Sequence, residues 1–477
     1  MATQIKFGTD GWRGIIAEDY TFDNVRLCAQ AVAEYVKSTG MAGRGMVIGY
    51  DTRFQSESFA AAVAEVFAGN GIVAYLSDRT IPTPTTSFAI LTHKAAGGII
   101  ITASHNPGIW NGFKYRPEYA GAASPEITAK VEAYLEDAQT KGIEIKRVPL
   151  EQGLAQGSIV MIDAVTPYLK QVASLVDLQA IKDAGLNVVV DAMFGAGIGY
   201  FPTLLAGGKT RIIEINNVRN PLFPGMHNPE PIERNLTALQ RAIAEHHADA
   251  GLANDGDADR VGFMDENGVF INQLQVYALL LLYLLEVCQR RGPVVKTITT
   301  TVMADKLAKL YGLPVYETQV GFKFVGPKML AVDALFGGEE SGGFAFQGHL
   351  PERDGIVAGL FLLDMMVKLG KKPSELVTHL YDQVGGHYYD RLDITFPAEQ
   401  RVKVVSRMEQ ARPTEVAGIK VIGRDTEGGF KFNMEDGGWL LVRFSGTEPI
   451  IRIYTETTHL DKVQDILQAG KRLAGLA

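Results

Sequence analysis

Short runs of apolar, mostly β-branched residues alternate along most of the chain with longer stretches in which apolar positions recur at three- and four-residue steps. The first pattern predicts buried strands and the second amphipathic helices. Strands are predicted at Gly45–Tyr50, Gly98–Thr102, Leu186–Asp191 and Thr297–Thr301. Helices are predicted over Asp23–Lys37, Ser56–Ala68, Leu236–His246, Gln275–Gln289 and Gly355–Leu369. Such alternation is the signature of βαβ units with parallel strands, so the class is α/β. From about Asp390 the pattern becomes strand-rich and closes on one helix, Leu460–Leu473, which predicts a smaller α+β domain. Polar or turn-rich stretches at Val148–Gly153, after Arg260 and from Gly370 to Gly386 are the candidate boundaries. They divide the chain into segments 1–152, 153–262, 263–375 and 386–477, with Gly385-Gly386 as a candidate hinge. The first three are similar in size but show no strict repeat.

Length and composition agree with this division. A chain of 477 residues carries a prior of about three domains and ample apolar residues for several cores. Cys28 and Cys288 are its only two cysteines, which excludes a disulfide scaffold and a cysteine metal cluster and points to a reduced, cytoplasmic compartment. A net charge of −8 argues against a chain that coats nucleic acid or an anionic membrane, so neither is expected as a partner. The N-terminus lacks the apolar stretch of a signal peptide. The most apolar run, Val276–Leu285, is ten residues long where a membrane span needs about twenty, and it reads as a buried helix.

Four loops carry candidate chemistry. Thr102-Ala-Ser-His-Asn-Pro107 follows the apolar strand Ile99–Ile101. Ligand sites in open α/β sheets lie beyond the carboxyl ends of strands, so Ser104 is placed for a nucleophile or phosphate carrier. A plain Asx or Ser turn is the competing reading. A serine hydrolase does not fit: no G-x-S-x-G occurs, and on an extended backbone His105 points away from Ser104. In Asp255-Gly-Asp-Ala-Asp-Arg260, three carboxylates at alternate positions repel one another unless a hard divalent cation lies between them. An EF-hand fails because Arg260 occupies its sixth, glycine position and both flanks read as strands. Gly337-Gly-Glu-Glu-Ser-Gly-Gly343 precedes the aromatic strand Phe344–Phe346 and offers carboxylates beside a hydroxyl, which suit adjacent sugar hydroxyls; an ordinary turn is equally consistent. Arg443-Phe-Ser-Gly-Thr-Glu-Pro449 supplies a guanidinium, two hydroxyls and turn amides, the donors a phosphate monoester needs; a structural turn is equally consistent. Two glycine motifs carry no nucleotide site: Thr203 stands at the first glycine of the Walker pattern ending at Thr210, and Tyr200 replaces the last glycine of the dinucleotide pattern after Phe194.

Taken in order, and with the N-terminal Phe7-Gly-Thr-Asp-Gly-Trp-Arg-Gly14, these loops resemble the α-D-phosphohexomutase superfamily over essentially the whole chain. The resemblance implies three similar mixed α/β domains plus a smaller C-terminal α+β domain, arranged around a central cleft. It implies phosphate movement between O1 and O6 of a hexose through a bisphosphate. Ser104 then resembles the phosphoserine, and Asp255, Asp257 and Asp259, with the serine phosphate, the ligands of one magnesium ion per chain. His105 and Lys114 match residues near the acceptor oxygen. Thr9, Arg13, Arg260, Lys323, Glu339 and Ser341 match substrate contacts, and Arg443, Ser445, Gly446 and Thr447 match the pocket of the non-reacting phosphate. Gly338-Glu-Glu-Ser-Gly342 is similar to the loop of phosphoglucomutases, although Gly343 stands where G-E-Q-S-G-H and G-E-M-S-G-H relatives carry histidine. The expected substrate is therefore glucose 1-phosphate, with glucose 1,6-bisphosphate as intermediate and activator, in a monomer or homodimer. Phosphomannomutase and bisphosphate synthase activities are the alternatives.

Overall fold

The structure, a computed structural model, describes residues 5–8, 10–444 and 450–476. Its first sheet contains β1 (Trp12–Ile15), β2 (Met46–Tyr50), β3 (Ala74–Ser77), β4 (Gly97–Ile101), β5 (Trp110–Pro117) and β6 (Ile159–Ile162) in the order β1-β5-β4-β2-β3-β6. The second holds β7 (Asn187–Asp191), β8 (Arg211–Ile215), β9 (Ala250–Asn254), β10 (Val261–Met264) and β11 (Phe270–Ile271), ordered β11-β10-β9-β7-β8. The third comprises β12 (Val294–Thr297), β13 (Val315–Thr318), β14 (Phe336–Gly338) and β15 (Phe344–Phe346), ordered β13-β12-β14-β15. The fourth is built from β16 (Tyr388–Thr395), β17 (Glu415–Val416), β18 (Ile419–Asp425), β19 (Phe430–Met434), β20 (Trp439–Phe444) and β21 (Ile450–Thr457). Its pairings are all antiparallel.

The first three sheets share one plan. In β5-β4-β2-β3, β10-β9-β7-β8 and β15-β14-β12-β13, the first three strands in sequence pair in parallel and the fourth returns antiparallel beside the third. The sheets are thus mixed, not purely parallel. The reason is loop length: 102–109, 255–260 and 339–343 are far too short for a parallel crossover, which needs about a dozen residues. Strands such as β4, buried along their whole length, explain the continuous apolar runs in the sequence.

Several elements differ from the sequence pattern. β6 pairs with β3, and β10 and β11 complete the second sheet, so these sheets run past the expected boundaries at 152 and 262. β6 is an edge strand with Val160 and Met161 exposed, which breaks its apolar signal. The expected strand Thr297–Thr301 ends at Thr297, where its hydroxyl meets those of Thr299 and Thr300 and the backbone turns. Threonine hydroxyls here satisfy a turn in place of the ladder. The helix expected to Gln289 runs over Gln273–Leu282 and continues as a π-turn to Val287, and the polar stretch from Gly370 contains the helix Pro373–Val384.

Caps set the helix that orders the centre of the molecule. Asp354 accepts hydrogen bonds from the amides of Ile356 and Val357, starting the helix Gly355–Leu369. That helix is buried from Gly355 to Met366, in one continuous core with residues of the second and third sheets. Each large apolar side chain so buried contributes about 1.5–3 kcal/mol, which explains why its apolar residues are not confined to one stripe. The first and fourth sheets have cores of their own. Glu456 of β21, fully buried, ties the fourth domain to the third by accepting from the Thr301 hydroxyl and the Val302 amide. Among the described residues no helix is long and apolar enough to cross a membrane.

Candidate active site

The three short loops after β4, β9 and β14 occupy the same place in the shared plan, and each carries one set of polar residues: Ser104, the aspartates and Glu339 with Ser341. Side chains from all three meet. The Ser104 hydroxyl donates to Asp255 Oδ2 at 3.0 Å, and Arg353 bridges Asp259 at 2.9 Å to Glu339 at 3.8 Å. Gly256 permits the first approach, since a Cβ there would stand 2.5 Å from the Ser104 carbonyl oxygen.

Ser104 is buried and its backbone is left-handed, with φ +53°. Its amide donates to the Thr102 hydroxyl at 2.8 Å. This conformation corrects the expectation for His105. The chain turns instead of running extended, so His105 Nδ1 lies 3.3 Å from Ser104 Oγ and does not point away. Burial, reinforced by Arg260, Arg13, Lys114 and Arg53, holds the imidazole pKa well below its usual value.

Asp255, Asp257 and Asp259 lie in the tight hairpin between β9 and β10, flanked by strands as expected, and all three are 0% exposed. One oxygen from each falls within 4.8 Å of the others. Burial, then Asp259 and Asp257, push Asp255 well above the usual carboxylate range. Burial likewise raises Asp259 despite Arg353, whereas at Asp257 burial is outweighed by Lys114 and Thr83 and the carboxyl is held low. Asp257 Oδ1 and Asp259 Oδ1 have no hydrogen-bond donor among the described residues. Buried, crowded carboxylate oxygens without donors are a fitting set for a hard divalent cation.

Cations surround this triad. Lys114 Nζ, on β5, is 2.8 Å from both Asp257 and Asp10. Arg116, two residues on, therefore shares the same face of the strand and pairs with Asp10 at 2.8 Å and Glu352 at 2.6 Å. Arg13 donates to the Asn106 side chain, while Arg260 pairs with Glu230 at 3.1 Å and lies 3.7 Å from Asp255. Glu339 accepts from the Gly321 amide at 2.8 Å, and burial pushes its carboxyl up to about 7. Ser341 Oγ is buried with no partner among the described residues. Lys323 Nζ lies over the Phe324 ring at 5.4 Å, and burial lowers its pKa against the opposing pull of Glu132. Arg443 pairs in register with Arg452 on β21, and from β16 Arg391 reaches Glu340 of the third-domain loop at 3.7 Å. Thr9, Ser445, Gly446 and Thr447 lie outside the described residues.

Asp10, Thr83, Glu230 and above all Arg353 escaped the sequence reading. Arg353 had a signal: Glu352-Arg353-Asp354 is a charged triplet set directly before a helix that carries no charge until Asp364. It also explains Gly343. A Cβ at that position would stand 2.2 Å from Arg353 Cδ, so the absence of a side chain at 343 makes room for the arginine. Gly343→Ala is expected to destabilise the protein by about 1–3 kcal/mol through overpacking and to lower activity with it. A variant with unchanged denaturant midpoint and turnover would refute this account of the glycine.

The chain matches the phosphoglucomutase/phosphomannomutase family in four parts: alpha/beta/alpha domain I over residues 4–141, domain II over 166–268, domain III over 272–384 and the C-terminal domain over 399–470. A phosphoglucomutase/phosphomannomutase of Thermococcus kodakarensis is 34% identical, covering 98% of both chains. A phosphoglucomutase of Komagataeibacter xylinus is 30% identical over 97% of this chain and 90% of its own. A Thermus thermophilus protein assigned as a phosphomannomutase has a crystal structure that matches with a TM-score of 0.86 at 33% identity, covering 100% of both chains. With a donor-poor carboxylate triad beside a buried serine, and relatives of this similarity along its whole length, the chain belongs to the phosphoglucomutase/phosphomannomutase family of the α-D-phosphohexomutase superfamily and is a phosphomutase.

Proposed function

We propose that the protein interconverts glucose 1-phosphate and glucose 6-phosphate, with Ser104 as the phosphoryl carrier and glucose 1,6-bisphosphate as intermediate and activator. The observation that carries this reading is the buried Ser104 hydroxyl, 3.0 Å from a carboxylate of the aspartate triad. Phosphoryl transfer asks the protein for positioning and charge neutralisation more than for covalent work. From phosphorylated Ser104, the P–Oγ bond breaks and a bond from phosphorus to O6 of glucose 1-phosphate forms. The O6 hydroxyl loses its proton and the serine oxygen gains one. The bisphosphate then turns end for end, and the reverse exchange at O1 regenerates the phosphoserine and releases glucose 6-phosphate.

His105, 3.3 Å from Ser104 Oγ, is placed to hold the proton exchanged there. Lys114, Arg13 and Arg260 supply positive charge around the transferring group. Asp255, Asp257 and Asp259, with an oxygen of the serine phosphate, would hold one magnesium ion per chain, which when bound neutralises charge on the phosphoryl group. Glu339, whose carboxyl burial pushes up to about 7, accepts from sugar hydroxyls when ionised and can donate to them when protonated, alongside Ser341. Thr9, Lys323, Arg443, Ser445, Gly446 and Thr447 complete the substrate contacts.

The Gly338-Glu-Glu-Ser-Gly342 loop supports glucose as the hexose. Mannose is the second reading, favoured by the names of the Thermococcus and Thermus relatives. A coupled assay offering glucose, mannose, glucosamine and N-acetylglucosamine 1-phosphates with a bisphosphate activator separates them. The glucose substrate is expected to lead in kcat/KM by at least about tenfold, and chelation of magnesium to abolish turnover. An equal or faster mannose rate would overturn the glucose preference, and net release of inorganic phosphate without isomerisation would mark a phosphatase instead.

A further inference from the structure

Resting on the reading of Ser104 as the carrier, we propose that Arg53, seconded by Asn228, is the positioning residue that fixes the Ser104 loop for transfer. Arg53 follows β2 and is fully buried. Its Nη2 donates to the carbonyls of Ser104 and Asn106, each at 2.6 Å, and its Nη1 to those of Pro107 at 2.9 Å and Trp110 at 3.0 Å. Asp51 lies 3.2 Å from Nε, and the guanidinium lies 5.0 Å from the centre of the Phe223 ring. The one carbonyl between those of Ser104 and Asn106, that of His105, accepts from Asn228 Nδ2 at 2.9 Å. Every carbonyl from Ser104 to Pro107 is therefore held by a side chain from outside the loop.

This matters because Ser104 is not a glycine yet sits at φ +53°. Such a backbone persists only where its surroundings over-determine it. The carrier oxygen serves two half-reactions from one place, so its position against the triad must be the same in both. A planar guanidinium can hold several carbonyls at once, whereas a lysine ammonium offers a point charge without that fork. Asn228 extends the restraint to the metal loop: its amide also reaches Glu230 at 3.2 Å, and Glu230 pairs with Arg260. Neither Arg53 nor Asn228 needs to touch substrate for this role.

The test compares wild type, Asn228→Ala and Arg53→Lys for thermal midpoint, for the single-turnover rate of Ser104 phosphorylation by labelled glucose 1,6-bisphosphate, and for kcat and KM. In folded protein, kcat and the phosphorylation rate are expected to fall together, by ~10-fold in Asn228→Ala and ~100-fold in Arg53→Lys, with KM for hexose phosphate within about twofold. A purely structural role would lower the melting point and leave the turnover of the folded fraction unchanged. Variants that fold and keep kcat within about twofold, or that change KM alone, overturn the proposal. Should Arg53→Lys not fold, Asn228→Ala decides. Label absent from Ser104 in the wild type would instead overturn the carrier assignment on which the proposal rests.

Discussion

Replacing Ser104 with alanine is expected to cut turnover by about 10^4-fold or more while leaving the fold intact, because the variant has no oxygen to carry the phosphoryl group between the two halves of the reaction. The hydroxyl makes one hydrogen bond to Asp255 and one contact with His105, so little else depends on it. Intact-mass measurement should find one added phosphate on the wild-type chain, mapping to Ser104, and none on the variant. Wild-type turnover by Ser104→Ala would remove this serine from the mechanism, however well the rest of the site survived.

The second large effect is expected at Arg353. Its guanidinium lies 2.9 Å from both Asp10 and Asp259 and 3.2 Å from Glu352, all buried or nearly so, and Phe322 lies under it at 5.3 Å. Arg353→Met should cost about 3–5 kcal/mol of stability, since removing one partner leaves several carboxylates buried without their charge. The same change should lower kcat/KM by ~100-fold or more, because the residue links the loops that carry Asp10, Asp259 and Glu339. Arg353→Lys should recover much of the stability and less of the activity, since a point charge cannot face three carboxylates in the plane of a fork. Denaturant unfolding together with steady-state kinetics checks both parts. A fully stable, fully active Arg353→Met would show that the bridge between the loops is incidental.

How far the sequence could be read depended on how local each signal was. The aspartates announce themselves because three like charges within five residues have no comfortable arrangement without a counter-charge, whatever surrounds them. Ser104 was singled out by its place after an apolar strand, and the fully buried β4 does end at Ile101. Arg353, Arg53 and Asn228 were not legible as parts of the site, since their partners lie far away in sequence: Asp10 and Asp259 for the first, four carbonyls of the 104–110 loop for the second, the His105 carbonyl for the third. Only the direction of His105, expected for an extended backbone, was misjudged, for a related reason. Its direction follows from the left-handed turn at Ser104, and the donors that enforce that turn come from other segments.

The sequence by itself determined the α/β class, the change to a strand-rich last domain and the short loops that carry Ser104, the aspartate triad and Glu339. These follow from periodicity, turn chemistry and charge crowding, all of which act over a few residues. Only the tertiary structure decided that β6 and β11 complete sheets beyond the expected boundaries, that each fourth strand turns back antiparallel, and that Arg353 fills the space left by Gly343. Edge pairing, loop closure and the neutralisation of buried charge are settled between segments distant in the chain. Their outcome depends on which surfaces meet, and a local pattern carries no record of that.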